Sequence, residues 1–464
     1  MNDTELALKR FKSLENDYLE DLKDLVRIPS ISADQSCAGH VRESAEKTAE
    51  IMKRRGLENV EVIDLKDAHP YAYGEWCRAK GRPTLLCYAH HDVQPTGYES
   101  LWKTKPFTPT LGKDGRLYAR GAADDKAGVV ALTSAIDSYI GAVKSLPVNV
   151  KLIIEGEEEI GSSHLTAFLK KYRKKLAADV MVLTDTSNFE TGVPSITTSL
   201  RGLVAVDVEV RSLRQSVHSG GYGGPTPDAA MALVKLLATL TDKDGDIAIA
   251  RMYDKVRPLT ADEKKMLDGL NPSEKEFRKQ AGIVASSRVM GKGGAKNILQ
   301  KMWRLPALSI NAMEAANMKE RRNVIVERAS ARVGIRIVPD MEREETLNLL
   351  EGHLRENAPW GVEVSVNRET SGNWWTTDTK HPAFEAARRA LAKGYGRPAV
   401  FTGCGGSIPF VEPFSRELGG VPALLVGIED PYTNAHSENE SLHLGDWKKS
   451  IAGIIHLFQE LAGD

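Results

Sequence analysis

Five stretches with the pattern of β-strands each run into a residue that can bind a metal ion. His90 follows PTLLCYA, Asp124 lies in ARGAADDK, and Glu158 and Glu159 follow NVKLIIEGE. Asp185 closes ADVMVLT, and His436 comes shortly after VPALLVGIED. In an open α/β sheet, ligands gather outside the carboxyl ends of the strands, so residues about 350 positions apart can meet at one rim. Two imidazoles and a surplus of carboxylates at such a rim suit a pair of divalent ions, and through them hydrolytic chemistry.

The bulk numbers narrow the field. A chain of 464 residues is too long for one ordinary core and implies two to three domains. Its 62 basic and 63 acidic residues leave a net charge of −1, which gives no electrostatic footprint for nucleic acid or a membrane surface. The four cysteines, Cys37, Cys77, Cys87 and Cys404, have neither disulfide-framework nor zinc-finger spacing. The densely charged first twenty residues hold no apolar signal core, and no apolar run reaches membrane-spanning length. A cytoplasmic location is expected.

Residues 4–27 carry Leu and Phe at helical spacing and predict one helix, ended by Pro29. Strand and helix patterns then alternate to about residue 195, as a doubly wound α/β sheet requires. From about residue 199 the pattern changes: Val204, Val206, Val208 and Val210 alternate onto one face of a strand. With PDAAMALVKLLATL, ARVGIRIV, EETLNLLEGHL and VEVSV, this predicts an inserted α+β unit of the ferredoxin-like kind. Residues 241–300 are charged and helical in composition and read as an insertion within it. Residues 1–198 and 373–464 are expected to form the first, interrupted domain, and 199–372 the second.

Three local stretches carry the candidate chemistry. His90 and Asp92 lie two apart at a strand end and share a face while the strand persists. A ligating histidine commonly donates its second N–H to a carboxylate, although a polar loop with unrelated histidines is the alternative. Asp124 and Asp125 lie in a small-residue loop entering a helix, where acids also serve simply as caps. Glu157, Glu158 and Glu159 directly follow a buried-strand pattern and are bracketed by glycines, a costly place for surplus charge without a function. Adjacent acids of this kind can divide the work, one as ligand and one as general base. Asp185 and His436 are weak signals individually and complete the set.

The order and spacing of these motifs resemble the M20 metallopeptidases, the dipeptidase, carnosinase-like and glutamate carboxypeptidase-like group. AHHDVQP is similar to the family's G-H-x-D-V-x-P, YARGAADDKAG to Y-G-R-G-x-x-D-x-K-G, and EGEEEIGS to E-G-x-E-E-x-G-S. VHSGGYGG, GGSIP and AHSENE follow in the family's order, and the resemblance runs from about Ile28 to the C-terminus. It implies two divalent ions, zinc by preference with manganese or cobalt as alternatives. His90, Asp124 and Asp185 would hold one, and Asp124, Glu159 and His436 the other, with Asp124 bridging. It further implies that Asp92 orients His90, that Glu158 is the general base, and that the Asp124–Asp125 peptide is cis. His218 would stabilise the oxyanion in a partner subunit's active site. Arg336, with the backbone of Gly405, Gly406 and Ser407, would bind the substrate's terminal carboxylate.

The chain departs from the family at Ala89, where glycine is common, at Gly403–Cys404, where Arg-Glu is common, and in the stretch before Arg336. These departures leave the metal ligands intact and bear on substrate identity. The expected protein is therefore a homodimeric di-metal hydrolase, joined through the inserted lid domain, acting on dipeptides or short peptides with a free C-terminal carboxylate. An N-acyl or N-carbamoyl amino acid amidohydrolase is the alternative enzyme. A binding protein that has lost its metals is the non-enzymatic one.

Overall fold

The computed structural model describes residues 1–319, 322–369, 372–408 and 410–463. Pro409 of the GGSIP motif and Glu320 and Arg321 before Arg336 lie outside the described residues. The chain divides into two compact units. The first comprises Met1–Thr198, Thr377–Thr402 and Ile408–Asp464, and the second comprises Ser199–Thr376 with Gly403–Ser407.

In the first unit the apolar runs form a mixed α/β sheet. Its strands run in the order Glu58–Ile63, Tyr71–Trp76, Asn149–Glu155, Thr84–His90, Val180–Leu183, Ala423–Val426 and Ser195–Leu200. The four central strands, from Asn149–Glu155 to Ala423–Val426, are mutually parallel. The flanking pairs are antiparallel, so the sheet is mixed rather than the uniformly doubly wound one that strand–helix alternation predicts. Both faces are covered, which is what lets the central strands be continuously apolar. Leu85, Cys87 and Ala89 join one core with the helix Lys126–Val143. On the other parity, Tyr88 stacks on Phe410, with ring centroids 3.7 Å apart.

The helix Lys126–Val143 is buried from Lys126 to Tyr139, as expected for a helix that is apolar on all sides. Its N-terminal Lys126 is buried too, and its Nζ donates to the carbonyls of Leu25 and Ile28, each at 2.8 Å. Those carbonyls close the second of two N-terminal helices. The predicted single helix over 4–27 is in fact Asp3–Ser13 and Glu15–Val26, broken at Leu14. The apolar spacing continues across the break, so periodicity alone does not register it.

The second unit is built on a four-stranded antiparallel sheet in the order Ala307–Glu314, Arg328–Ile337, Gly202–Arg211, Glu363–Arg368. With the helices Ala229–Ala238 and Arg343–Glu356, the chain order is βαββαβ. Val204, Val206, Val208 and Val210 are all fully buried, as their alternation requires, and both helices pack on this sheet. Between the first helix and the strand Ala307–Glu314 come three further helices: Ala261–Leu270, Glu274–Gln280 and Ile298–Trp303. Among the described residues, no helix is long and apolar enough to cross a membrane.

Candidate active site

The parallel strands end in register, with His90 opposite Glu155, so their following loops emerge on one edge of the first unit. Thr84–His90 ends in His90 itself, Asn149–Glu155 leads into the turn Glu158–Ile160, and Val180–Leu183 leads to Asp185. Asp124 arrives by another route. The short strand before it, Arg116–Tyr118, belongs to a separate three-stranded sheet, where it pairs with Ser441–His443. Four ligand-type positions therefore follow central strands and one does not.

The side chains converge into two donor groups, within each of which the ligand atoms lie no more than 4.8 Å apart. One contains His90, Asp125 and Asp185, and the other Asp124, Glu159 and His436. Asp124 spans them: its Oδ1 is 3.1 Å from His90 Nε2, and its Oδ2 is 3.0 Å from His436 Nε2. His436 Nε2 is also 3.2 Å from Glu159 Oε2. The Asp124–Asp125 peptide is cis. Asp125, read from sequence only as a neighbour in the loop, is a donor of the first group.

Two of the donors, His90 and Glu159, are held from behind. His90 Nδ1 lies 3.1 Å from the Asp92 carbonyl oxygen and 3.4 Å from its Oδ1, which fixes the ring with Nε2 towards Asp124. The same Asp92 carboxylate accepts from the backbone N–H of Glu158 at 3.3 Å and of Glu159 at 3.1 Å. It thus ties the His90 strand to the glutamate turn. Gln94 donates to Glu159 from both its backbone N–H, at 3.1 Å, and its side chain, at 2.8 Å. His436 sits at φ 61°, a left-handed conformation uncommon for a non-glycine residue and concentrated at functional sites.

Burial and neighbouring charges shift the carboxyls and histidines of the site. Burial, then the charges of Asp185, Glu159 and Asp124, push the Glu158 carboxyl well above its ordinary range. Burial and the charges of Asp185 and Asp124 do the same to Asp125, and Glu159 is pushed up to about 7 by burial and Asp124. His436 is raised to about 11 by its hydrogen bonds to Asp124 and Glu159. Desolvation opposes charge on His90, yet its bonds to Asp124, Asp185 and Asp92 raise it. Crowded carboxylates thus raise the proton affinity of Glu158, Asp125 and Glu159, and the same carboxylates raise that of His90 and His436. A nitrogen-and-oxygen donor set of this kind fits divalent zinc, manganese or cobalt. Glu158 belongs to neither donor group.

The other sequence-derived positions lie in the second unit. His218 is exposed, and its Nδ1 accepts from the backbone N–H of Gly220 at 3.0 Å and of Gly221 at 3.2 Å. A neutral ring so held carries its proton on Nε2 and offers it outward. Arg336 reaches Ser407 Oγ at 3.4 Å, so Arg336 and Gly405–Ser407 are neighbours in one unit. Sequence reasoning missed Arg201, whose Nε donates to the Gly405 carbonyl at 2.9 Å and anchors this segment. Burial, with the charge of Arg336 next, lowers Arg201 to about 10. Also missed were Gln94 and the buried pair Arg120–Glu440, joined at 2.8 Å. The AHSENE motif contained Glu440 without indicating its use.

The chain is similar to known peptidases. The model of peptidase family M20/M25/M40 matches residues 86–460. The Cys-Gly metallodipeptidase of Candida albicans is 31% identical over 470 residues, covering 96% of each chain. The human β-Ala-His dipeptidase is 29% identical, covering 98% of this chain and 89% of its own. Among solved structures, a dipeptidase of Saccharomyces cerevisiae superposes with a TM-score of 0.89 at 26% identity, covering 100% of both chains. Human carnosine dipeptidase 1 superposes equally well, with a TM-score of 0.89 at 26% identity, covering 100% of this chain and 99% of its own. A match that spans the ligand-bearing loops and most of the chain identifies a shared lineage as well as a shared fold: the protein is a peptidase and belongs to the M20/M25/M40 family.

Proposed function

We propose that the protein is a two-ion metallodipeptidase that hydrolyses dipeptides or short peptides with a free C-terminal carboxylate. The observation that carries this reading is the position of Asp124, which turns one carboxylate oxygen towards each histidine of the two donor groups. His90, Asp124 and Asp185 would hold one ion, with Asp125 close by, and Asp124, Glu159 and His436 the other. Bound divalent ions supply Lewis acidity towards a carbonyl and a lowered pKa for water. The relatives' names, Cys-Gly and β-Ala-His dipeptidases, support a substrate of dipeptide size.

The protein's own groups supply the rest. Glu158 takes the proton of the attacking water and passes it to the leaving amine, a general acid–base role suited to a buried carboxyl with raised proton affinity. Asp92 keeps His90 and the glutamate turn in register. The Nε2–H of the partner subunit's His218 donates to the developing oxyanion. Arg336 pairs with the substrate carboxylate, assisted by the backbone of Gly405, Gly406 and Ser407. The second unit serves as lid and dimerisation domain.

Hydrolysis of a dipeptide library by zinc-, manganese- and cobalt-reconstituted protein tests the reading. The library carries free and blocked termini and includes N-acylated amino acids. Cleavage of free dipeptides, lost when the C-terminus is amidated, is expected. Preference for acylated amino acids over every dipeptide would replace it with an amidohydrolase.

A further inference from the structure

Glu440 is 0% exposed and spends both carboxylate oxygens on the loop that delivers Asp124. Its Oε1 accepts from the backbone N–H of Ala123 at 2.9 Å and of Asp124 at 3.1 Å. Its Oε2 accepts from the N–H of Gly121 at 2.9 Å and from Arg120 Nη1 at 2.8 Å. Arg120, 1% exposed, reaches onward with Nη2 to the carbonyls of Pro95 at 3.0 Å and Ser437 at 3.2 Å. One ion pair therefore joins three loops of the first unit. They carry Asp124, His436 and, next to Pro95, the Gln94 that holds Glu159.

A buried ion pair is a poor device for stability alone, because desolvation offsets most of its attraction, and it is better suited to specifying one arrangement. Here the arrangement it specifies is the reach of Asp124 towards His436 and Glu159. We infer that Glu440, with Arg120, is a positioning residue that holds Asp124 against the His436 loop and thereby sets ion affinity at the Asp124–Glu159–His436 group. The inference rests on the two-ion reading above.

The substitutions that test it follow from the four donors. Glu440→Gln replaces one accepting oxygen with an NH2 that faces donors whichever way the amide turns. Glu440→Asp keeps the charge and the Arg120 pair but is one methylene too short to span all four. Manganese is titrated into metal-free wild type and both variants, and bound ions per chain are counted. Electron paramagnetic resonance then distinguishes an exchange-coupled manganese pair from isolated ions. Wild type is expected to bind two ions and show the coupled signal. In the variants one ion is retained, affinity for the other falls about ten- to hundred-fold, and the coupled signal returns only at correspondingly higher manganese. Turnover at saturating metal recovers with the signal, which general damage to the fold does not predict. Should Glu440→Gln fail to fold, the Glu440→Asp titration decides. Variants that lose thermal stability yet titrate and couple like wild type overturn the inference. Wild type that binds a single ion overturns the two-ion reading instead.

Discussion

Glu158 and Glu159 are adjacent in sequence and differ in what surrounds their carboxylates. Glu159 is clamped by Gln94 and approached by His436, whereas Glu158 stands outside both donor groups. Glu158→Ala should therefore leave ion content unchanged and lower kcat by about 10²- to 10⁴-fold. Metal analysis alongside steady-state kinetics checks this, and near-normal turnover would reassign the base. The same residues predict how the metal-free protein responds to pH. Glu159 has its pKa raised from 4.5 to about 7, and burial and neighbouring carboxylates raise Glu158 and Asp125 as well. The folded state then binds more protons than the unfolded chain across that interval, so stability falls as pH rises from about 4.5 through 7. His436, raised to about 11, acts in the same direction, its contribution lost at higher pH still. The melting temperature of chelator-treated protein should fall over this window. Added metal should restore it while releasing protons, detectable by calorimetry in buffers of different ionisation enthalpy. A metal-free melting temperature that climbs with pH over this interval would contradict the assignment.

At the scale of elements, strand runs such as LLCYA and KLII were legible because parallel central strands are apolar on both faces and bounded by turns. The antiparallel flanks were not, since pairing direction leaves no mark on a short apolar run. Asp124's route was hidden for a related reason. Arg116–Tyr118 is only three residues long, and its partner Ser441–His443 lies at the far end of the chain. Helix packing was equally hidden. A Cβ at Gly394 would come within 2.5 Å of the Gly453 backbone nitrogen, so the helices Pro382–Tyr395 and Leu444–Ala462 meet through backbone at this point. Gly394→Ala must push backbone aside and should cost about 1–3 kcal/mol in denaturant unfolding. Gly352→Ala, in the helix Arg343–Glu356 with nothing within 4 Å of the added carbon, should instead gain roughly 0.5–1 kcal/mol. Equal effects at the two positions would refute the close approach.

At the scale of the molecule, the candidate donors His90, Asp124, Glu159, Asp185 and His436 were legible because each lies in a recognisable motif or closes a strand pattern, and Asp125 was not. The groups that position the donors act through backbone amides and carbonyls that no motif records. Glu440 and Arg201 are of this kind. Arg201 also explains why Gly403–Ser407, though surrounded in sequence by the first unit, clusters with the second: its backbone N–H donates to the Cys404 and Gly406 carbonyls and its side chain to that of Gly405. The remaining question is whether one chain suffices for catalysis. His218 offers an outward Nε2–H from an exposed turn, and the second unit also exposes Met231, Val234, Ile310 and Met313 on the helix Ala229–Ala238 and the edge strand Ala307–Glu314. If these faces join two copies and the partner subunit's His218 completes each site, Glu158→Ala and His218→Ala proteins, each inactive alone, should complement when dissociated and reassociated together. Random reassociation makes half of the dimers mixed, and each mixed dimer holds one site with both Glu158 and His218 intact, so about a quarter of wild-type activity should return. Activity that stays at the level of the separate variants, with mixed dimers verified by mass, would place His218 in the site of its own chain or outside the reaction altogether.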